Sequence, residues 1–254
     1  AEIIVVDDGS TDSTAATAEA FGGIVRVICR SNGGPAAARN TGIRAALGNW
    51  FALLDADDSW LPTKLAAQLP LTVDPAVGVV HARKTIRRGV AAPPEISFAM
   101  LWEGNCVLAS SVMIRRECFE ALAGFDEDRG LIGVEDYNFW LRATRAGWKV
   151  ATYQEWLVKY TPAPGSLSRN QSRLMEAELV NAGKLAAQLG HATADGRLEF
   201  AAAATGKALE LVLDSPGRVA KTIVLAPLVP GERRDLGRVE LATNPAMGAA
   251  IRDP

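Results

Sequence analysis

Cysteine is scarce in this chain: Cys29, Cys106 and Cys118 are widely spaced and odd in number, and the only histidines are His81 and His191. That inventory excludes a disulfide framework and a zinc site. An excess of charge of one sign is also missing. Lys and Arg number 27 against 29 Asp and Glu, for a net charge of −2. The basic residues are spread along the chain, so it lacks the electrostatic footprint of a nucleic-acid binder, and no nucleic-acid partner is expected. Long apolar runs are absent as well. The best, Thr222 to Val229, is broken by Pro227 and followed by Pro230, too short to span a bilayer. There is no signal-peptide pattern and no initiator methionine. The chain opens on Ala1 inside a strand-like run, so an N-terminal segment is expected before it.

What is present is an ordinary mixture, 48% hydrophobic and 22% charged over 254 residues, enough for one large α/β domain and an appendage. Strand-like runs at 2–6, 24–29, 50–54 and 77–80 alternate with helix-like stretches near 13–21, 35–47 and 63–69. This is the pattern of a mostly parallel sheet flanked by crossover helices. Residues 82–105, with Arg83-Lys84, Arg87-Arg88 and Pro93-Pro94, read as a loop or irregular edge. A strand from Cys106 to Ile114 precedes a helix through Phe119, a helix covers 134–146, and a strand returns between Trp148 and Leu157. From about residue 173 the texture becomes alanine-rich, with helices expected at Leu174–Leu189 and Leu198–Leu213. The expected division is therefore a catalytic domain over 1–172 and a helical C-terminal appendage over 173–254.

Two apolar strands end in carboxylates: Ile3 to Val6 runs into Asp7-Asp8-Gly9-Ser10, and Trp50 to Leu54 runs into Asp55-Ala56-Asp57-Asp58. Ligands of open α/β sheets bind outside the carboxyl ends of the strands, so both acid groups belong to one crevice. On extended chain Asp55 and Asp57 would face the same side, and magnesium or manganese typically takes one or two carboxylates with substrate phosphates. The spacing suits a metal–diphosphate site. Asp and Gly after a strand are also turn and cap residues, and Ser10 or Asp12 could cap a helix beginning near Ser13. Between the acid clusters, Asn32-Gly33-Gly34-Pro35 leads into Ala36-Ala37-Ala38-Arg39-Asn40. Glycines permit close backbone approach, Pro35 suits a first helical turn, and Arg39 can reach diphosphate oxygens. Glu135-Asp136 opens the helix at 134, where a carboxylate is expected to stay ionised near neutral pH and act as a general base. Acids in a first turn also simply complement the helix dipole.

The ordered set Val5-Val6-Asp7-Asp8-Gly9-Ser10-Thr11-Asp12, Asn32-Gly33-Gly34 to Ala38-Arg39-Asn40-Thr41-Gly42, Leu53-Leu54-Asp55-Ala56-Asp57-Asp58 and Glu135-Asp136-Tyr137 with Trp140-Leu141-Arg142 resembles the family 2 glycosyltransferases of GT-A fold. The resemblance spans residues 1 to about 172. It implies inverting transfer of a sugar from a UDP-sugar or other nucleoside-diphosphate sugar to a hydroxyl, with Mg2+ or Mn2+. By matching position, Asp7 or Asp8 would meet the nucleotide base and Arg39 the diphosphate. Asp57 would ligate the metal, with Asp55 as a second ligand or nearer the ribose. Asp136 would be the base, and Glu135 would help to position donor or acceptor. The resemblance further implies a saccharide, lipid-linked or protein acceptor, bacterial polysaccharide or glycoconjugate synthesis, a cytoplasmic location at the inner face of the membrane with peripheral association, and self-association through an exposed sheet edge. Relatives begin with an earlier strand and helix, and carry Arg after the Tyr and His before the Pro-Gly of the loop at 157–168. Thr161 and Ala163 stand there instead.

Three rivals remain at this level. A phosphoacceptor receiver domain also places an acid pair after one strand and an aspartate after a later one, but offers no role for Arg39 or Glu135-Asp136. A nucleotidyltransferase lacks its glycine-rich loop here, and a catalytically silent sugar-nucleotide binding module needs only the binding half. His81 reads as a packed strand residue and His191 as a solvated cap. Of the tryptophans, Trp102 beside Glu103-Gly104-Asn105 is the candidate for sugar stacking, while Trp140 and Trp148 suit core.

Overall fold

The run Val77–Ala82 (β5) is apolar on both faces and wholly buried, which suits the middle of a sheet covered on both sides. The computed structural model describes residues 2–83, 93–161 and 171–188 and the strand segments 209–213, 221–225, 239–240 and 250–251. Ahead of β5 come β1 (Ile3–Asp7), α1 (Thr14–Glu19), β2 (Val25–Cys29), α2 (Pro35–Ala45), β3 (Trp50–Ala52), β4 (Ser59–Trp60) and α3 (Lys64–Gln68). After it come β6 (Glu95–Ile96), α4 (Phe98–Trp102), β7 (Met113–Arg115), α5 (Arg116–Ala121), α6 (Glu135–Arg145), β8 (Lys149–Tyr153) and β9 (Val158–Lys159). The chain divides by contacts at Arg169/Asn170.

In the first unit a five-stranded sheet has the order β3-β7-β5-β8-β6. β5 and β8 are parallel, but β7 enters antiparallel between β3 and β5, and β6 is antiparallel on the edge. The sheet is thus mixed where a mostly parallel one was expected. Three strands keep the common direction that collects their carboxyl ends, while the short β6 and β7 run against it. β1 and β2 form a separate parallel pair in which Asp7 lies opposite Cys29. The strand expected from Cys106 to Ile114 is cut to three residues, because Ala109–Ser111 coil into a 3-10 turn before β7.

Helix α2 packs on β1 through small residues. Ala36 and Ala37 are buried, and a side chain at Gly42 would press on Val6 Cγ2 at 3.2 Å. Its Asn40 is fully buried and holds the Gly124-Phe125 turn, accepting from the Phe125 N–H at 2.9 Å and donating to the Phe125 carbonyl at 2.8 Å. Gly124 has φ +82°, and a Cβ there would lie 2.7 Å from Asn40 Oδ1, so both geometry and space demand glycine. Phe125 then joins Phe119, Phe139 and Trp140 in one aromatic cluster behind α6. Trp140 is core as expected, and His81 is a buried strand residue bonded to Thr152 Oγ1.

The second unit holds α7 (Gln171–Gln188) and two antiparallel pairs, β10 (Leu209–Leu213) with β11 (Lys221–Leu225) and β12 (Val239–Glu240) with β13 (Ala250–Ile251). Leu209–Leu213 is therefore strand where the helix over 198–213 was expected. Its Leu-Glu-Leu-Val-Leu is a short apolar run that suits strand or helix, and a cross-strand partner decides such ambiguous runs. Residues 198–208, His191, Lys84, Arg87-Arg88 and Pro162–Ser168 lie outside the described residues. No disulfide joins the described cysteines.

Asn40→Ala orphans the buried Phe125 N–H and carbonyl and is expected to cost about 2–4 kcal/mol. Urea denaturation followed by tryptophan fluorescence measures this, and an unchanged midpoint would show that the turn finds other partners.

Candidate active site

Asp7 and Asp8 leave β1 side by side and do different work. Asp7 is buried, its Oδ1 accepts the Ser10 N–H at 2.9 Å, and hydrogen bonds from the side chain and backbone of Ser10 hold its carboxyl below the usual range. Asp8 is engaged by the loop that precedes α2. It accepts the Gly33 N–H at 3.0 Å and the Gly34 N–H at 2.7 Å, and Arg30 Nε lies 3.1 Å away. Gly34 takes φ +90°, which turns its N–H toward Asp8 as Pro35 starts the helix. The glycines approach closely, as expected, but to this carboxylate. Neither Ser10 nor Asp12 is the N-cap of α1, which is Ser13 with no side-chain cap bond, though Asp12 just before it accepts the Thr14 N–H at 3.0 Å.

The acids after β3 do not stay extended. Asp55 to Asp58 form a turn closed by the Asp58 N–H to the Asp55 carbonyl at 3.1 Å, so turn geometry replaces the same-side argument for Asp55 and Asp57. Asp55 is held at both ends. Its N–H donates to Ser110 Oγ at 3.1 Å, and its Oδ1 accepts from Arg39 Nη2 at 2.8 Å. Asp57 is exposed, with no hydrogen bond or ion pair among the described residues. Asp58 Oδ1 accepts the Thr161 N–H at 3.0 Å and ties this turn to the chain after β9.

Arg39 joins the crevice together. Its other terminal nitrogen, Nη1, lies 2.5 Å from Glu135 Oε1 at the start of α6, so one guanidinium spans residues 96 apart in sequence. Burial works against its charge, and Asp55, Glu135 and Asp136 more than offset this, holding it above the usual arginine range. Arg39 thus bridges the acid turn and α6. Glu135 is buried, and its Oε2 accepts the Gly133 N–H at 2.7 Å, so both its oxygens are occupied.

Asp136 is half-buried, and its Oδ1 accepts its neighbour Tyr137's N–H at 2.6 Å. Desolvation and then Glu135 push its carboxyl up to about 7, against the opposing pull of Arg39 and the Tyr137 N–H. The expectation that the helix terminus keeps it ionised is therefore corrected. Dipole stabilisation is worth a few tenths of a kcal/mol to about 1, and a buried neighbouring carboxylate outweighs it. A carboxyl poised near neutrality is matched to proton transfer at physiological pH. Ser110 escaped notice in the sequence; its only signal was a Ser-Ser pair between apolar runs. Trp102 is exposed and stacked on Phe98, and α4 meets α6 where the Tyr137 hydroxyl donates to the Leu101 carbonyl.

Because the carboxyl of Asp136 titrates above its unfolded value, the folded chain binds more protons between about pH 4 and about pH 7. Stability should fall as pH rises through that window and level off above it. Asp136→Asn should flatten this slope in denaturation measured against pH; parallel curves for both proteins would remove the perturbed carboxyl.

Sequence and structure comparisons place this geometry. The model of Glycosyl transferase family 2 matches residues 1–118. The Escherichia coli UDP-Glc:alpha-D-GlcNAc-diphosphoundecaprenol beta-1,3-glucosyltransferase WfaP is 30% identical over 179 residues, covering 67% of this chain and 69% of that protein. The mannosyltransferase PcManGT from Pyrobaculum calidifontis, in complex with GDP-Man and Mn2+, superposes with a TM-score of 0.57 at 23% identity, over 72% of this chain and 54% of that one. TarS 1–349 from S. aureus, in complex with UDP-GlcNAc, gives 0.56 at 20% identity over 71% and 56%. The chain thus spans little more than half of either solved neighbour, and at those identities the likeness is one of GT-A fold. The family match over residues 1–118 and the match to WfaP across two thirds of both chains show that this chain belongs to glycosyltransferase family 2.

Proposed function

We propose that residues 1–172 carry an inverting transferase site that moves a sugar from a nucleoside-diphosphate donor to an acceptor hydroxyl, in bacterial polysaccharide or glycoconjugate synthesis. The observation that carries this reading is Asp136, a carboxyl near neutrality whose neighbour Glu135 is bonded through Arg39 to the acid turn. In this reading Asp136 takes the proton from the acceptor hydroxyl as that oxygen attacks the anomeric carbon. The bond to the diphosphate breaks on the opposite face, which inverts the centre. Glu135 and Arg39 hold base and donor turn in register, and Asp7 offers its pocket at the end of β1 to the nucleotide base. Asp8, occupied by Gly33, Gly34 and Arg30, shapes that pocket from behind.

A divalent cation fits the donor set in one respect. Among the described residues no group of three or more His, Cys, Asp or Glu could hold a metal, so an ion here would take most of its shell from water and the donor diphosphate. Asp57 is the open carboxylate for Mg2+ or Mn2+, and Asp55 keeps one oxygen beyond its bond to Arg39. When bound, the ion neutralises the departing diphosphate as a Lewis acid. The donors and acceptor named for WfaP, TarS and PcManGT support a UDP- or GDP-linked sugar and a lipid-linked saccharide acceptor. No described helix is long and apolar enough to cross a membrane. Peripheral association at the inner face of the cytoplasmic membrane is the arrangement that such an acceptor favours. The edge of β1 with no strand partner among the described residues is the surface for self-association. The receiver alternative is set aside, because Asp8 is used up on backbone and Arg30 and the chain has its family.

Two measurements test the reading. Asp57→Ala should abolish manganese-dependent binding of a nucleoside diphosphate in isothermal titration, since carboxylates and diphosphate repel without a bridging cation. Equal affinity in wild type and variant would remove Asp57 as the ligand. Asp136→Asn should lower turnover roughly 10²–10⁴-fold with donor affinity little changed, and wild-type kcat should rise with pH to a plateau above about 7. Turnover within a few-fold of wild type would send the search for the base elsewhere. Donor binding with no turnover in wild type would leave a silent binding module.

A further inference from the structure

Helix α3 is inside out. Leu61 just before it, Leu65 within it and Leu69 just after it are 46%, 38% and 51% exposed, while Lys64 and Gln68 are 1% and 0% exposed. A surface helix ordinarily turns its leucines inward, so this segment has the reverse of the expected pattern. Both inward residues also cost stability. Burial pulls the Lys64 amine down to about 7, and Gln68 Oε1 has no partner.

The return on that cost lies opposite α3. Trp60 Nε1 donates to the Ser110 carbonyl at 2.7 Å, Gln68 Nε2 to the Ser111 carbonyl at 2.8 Å and Lys64 Nζ to the Val112 carbonyl at 3.4 Å. The Lys64 amine also sits 4.3 Å from the centre of the Trp60 ring, which fixes the two side chains against each other. Three successive carbonyls are thus clamped by three side chains of one short segment. The clamped backbone carries the Ser110 hydroxyl that receives the Asp55 N–H, and the Val112 carbonyl also accepts the Leu53 N–H at 3.4 Å. Both ends of the strand exit leading to the acid turn therefore rest on it.

We propose that Lys64, Gln68 and Trp60 are positioning residues that act through the backbone of 110–112 and its Ser110 hydroxyl to fix the Asp55–Asp57 turn for the donor diphosphate. The proposal rests on the donor-site reading above. Nothing in the core requires a buried amine at 64, because the Val112 carbonyl keeps its bond from Leu53 when Lys64 is removed. Lys64→Met fills the same space without the desolvation cost, so it separates stability from positioning.

The test is a cycle of Lys64→Met, Ser110→Ala and the double variant. It is read by titration of UDP and of GDP in manganese, by melting temperature, and by amide hydrogen exchange at Asp55. Lys64→Met should melt no lower than wild type, yet bind the diphosphate roughly 10–100-fold more weakly, as is usual when support behind a ligand is lost. Its Asp55 amide should exchange faster while β5 keeps its protection. The double variant should bind within about threefold of Ser110→Ala alone, because both act along one path. Wild-type affinity and exchange in Lys64→Met would overturn the proposal, as would weakened binding accompanied by a lower melting temperature and faster exchange throughout. If wild type binds neither diphosphate, the donor reading fails by itself, and the Asp55 exchange rate in Lys64→Met decides whether the clamp exists.

Discussion

One guanidinium holds the crevice together. Arg39 contacts Asp55 at the end of β3 and Glu135 at the start of α6, with Asp136 close enough to add to its stabilisation. Without a fixed cation these acids would repel in a partly desolvated crevice, and the turn and the helix terminus would part. Arginine suits the place because its planar fork meets two carboxylates at once and keeps its proton under desolvation. A lysine would offer one point charge and lose it more readily. The position of Arg39 depends in turn on α2. That helix is seated on β1 by its alanines and Gly42, started by Pro35 and anchored through Gly33 and Gly34 to Asp8.

This dependence explains why Asp136 is raised. Glu135 has Arg39 on one oxygen and the Gly133 N–H on the other, so its charge is matched by donors. Asp136 has the Tyr137 N–H and only a share of the field of Arg39, while it bears both burial and the adjacent Glu135 charge. Two consecutive acids in one helical turn thus divide into a fully bonded carboxylate and one raised toward neutrality. Environments that push neighbouring carboxyls apart are how a fold assigns a structural and a proton-accepting role at the same pH. The melting and rate profiles against pH probe this division from two directions.

Local pattern in the sequence carried most of the first unit. The strands at 3–7, 25–29 and 77–82 and the helices at 35–45 and 135–145 follow from apolar runs, Pro35 and the spacing of buried positions. What stayed hidden depends on partners far along the chain. The acid motif looks extended until the Asp58 N–H closes it onto Asp55, and Arg39 looks like a free helix-face cation until α6 arrives 96 residues later. The opposed direction of β7 is set by the 3-10 turn at Ala109–Ser111, which no periodicity announces. Leu209–Leu213 reads as helix from its alanine-rich surroundings and becomes strand through pairing with Lys221–Leu225. Lys64 and Gln68, four apart with leucines at 61, 65 and 69, were a legible anomaly, but a polar pair at helical spacing normally marks the solvent side. Only the carbonyls of 110–112 reverse that reading.

The acids at the strand ends finally sort by what answers their charge. Asp8 and Glu135 are met by backbone N–H groups and arginine and hold loops in place. Asp55 is half answered, bonded to Arg39 and Ser110 with one carboxylate oxygen left. Asp57 and Asp136 are the least answered, one exposed within the turn and the other raised toward neutrality. In the proposed function the two open carboxyls are where a cation with diphosphate and a proton-bearing hydroxyl would gain the most from binding. The structural acids set the separation between those two places, and Arg39 keeps that separation fixed. In that reading a donor at one end and an acceptor at the other need no new framework, only the groups that the fold leaves open.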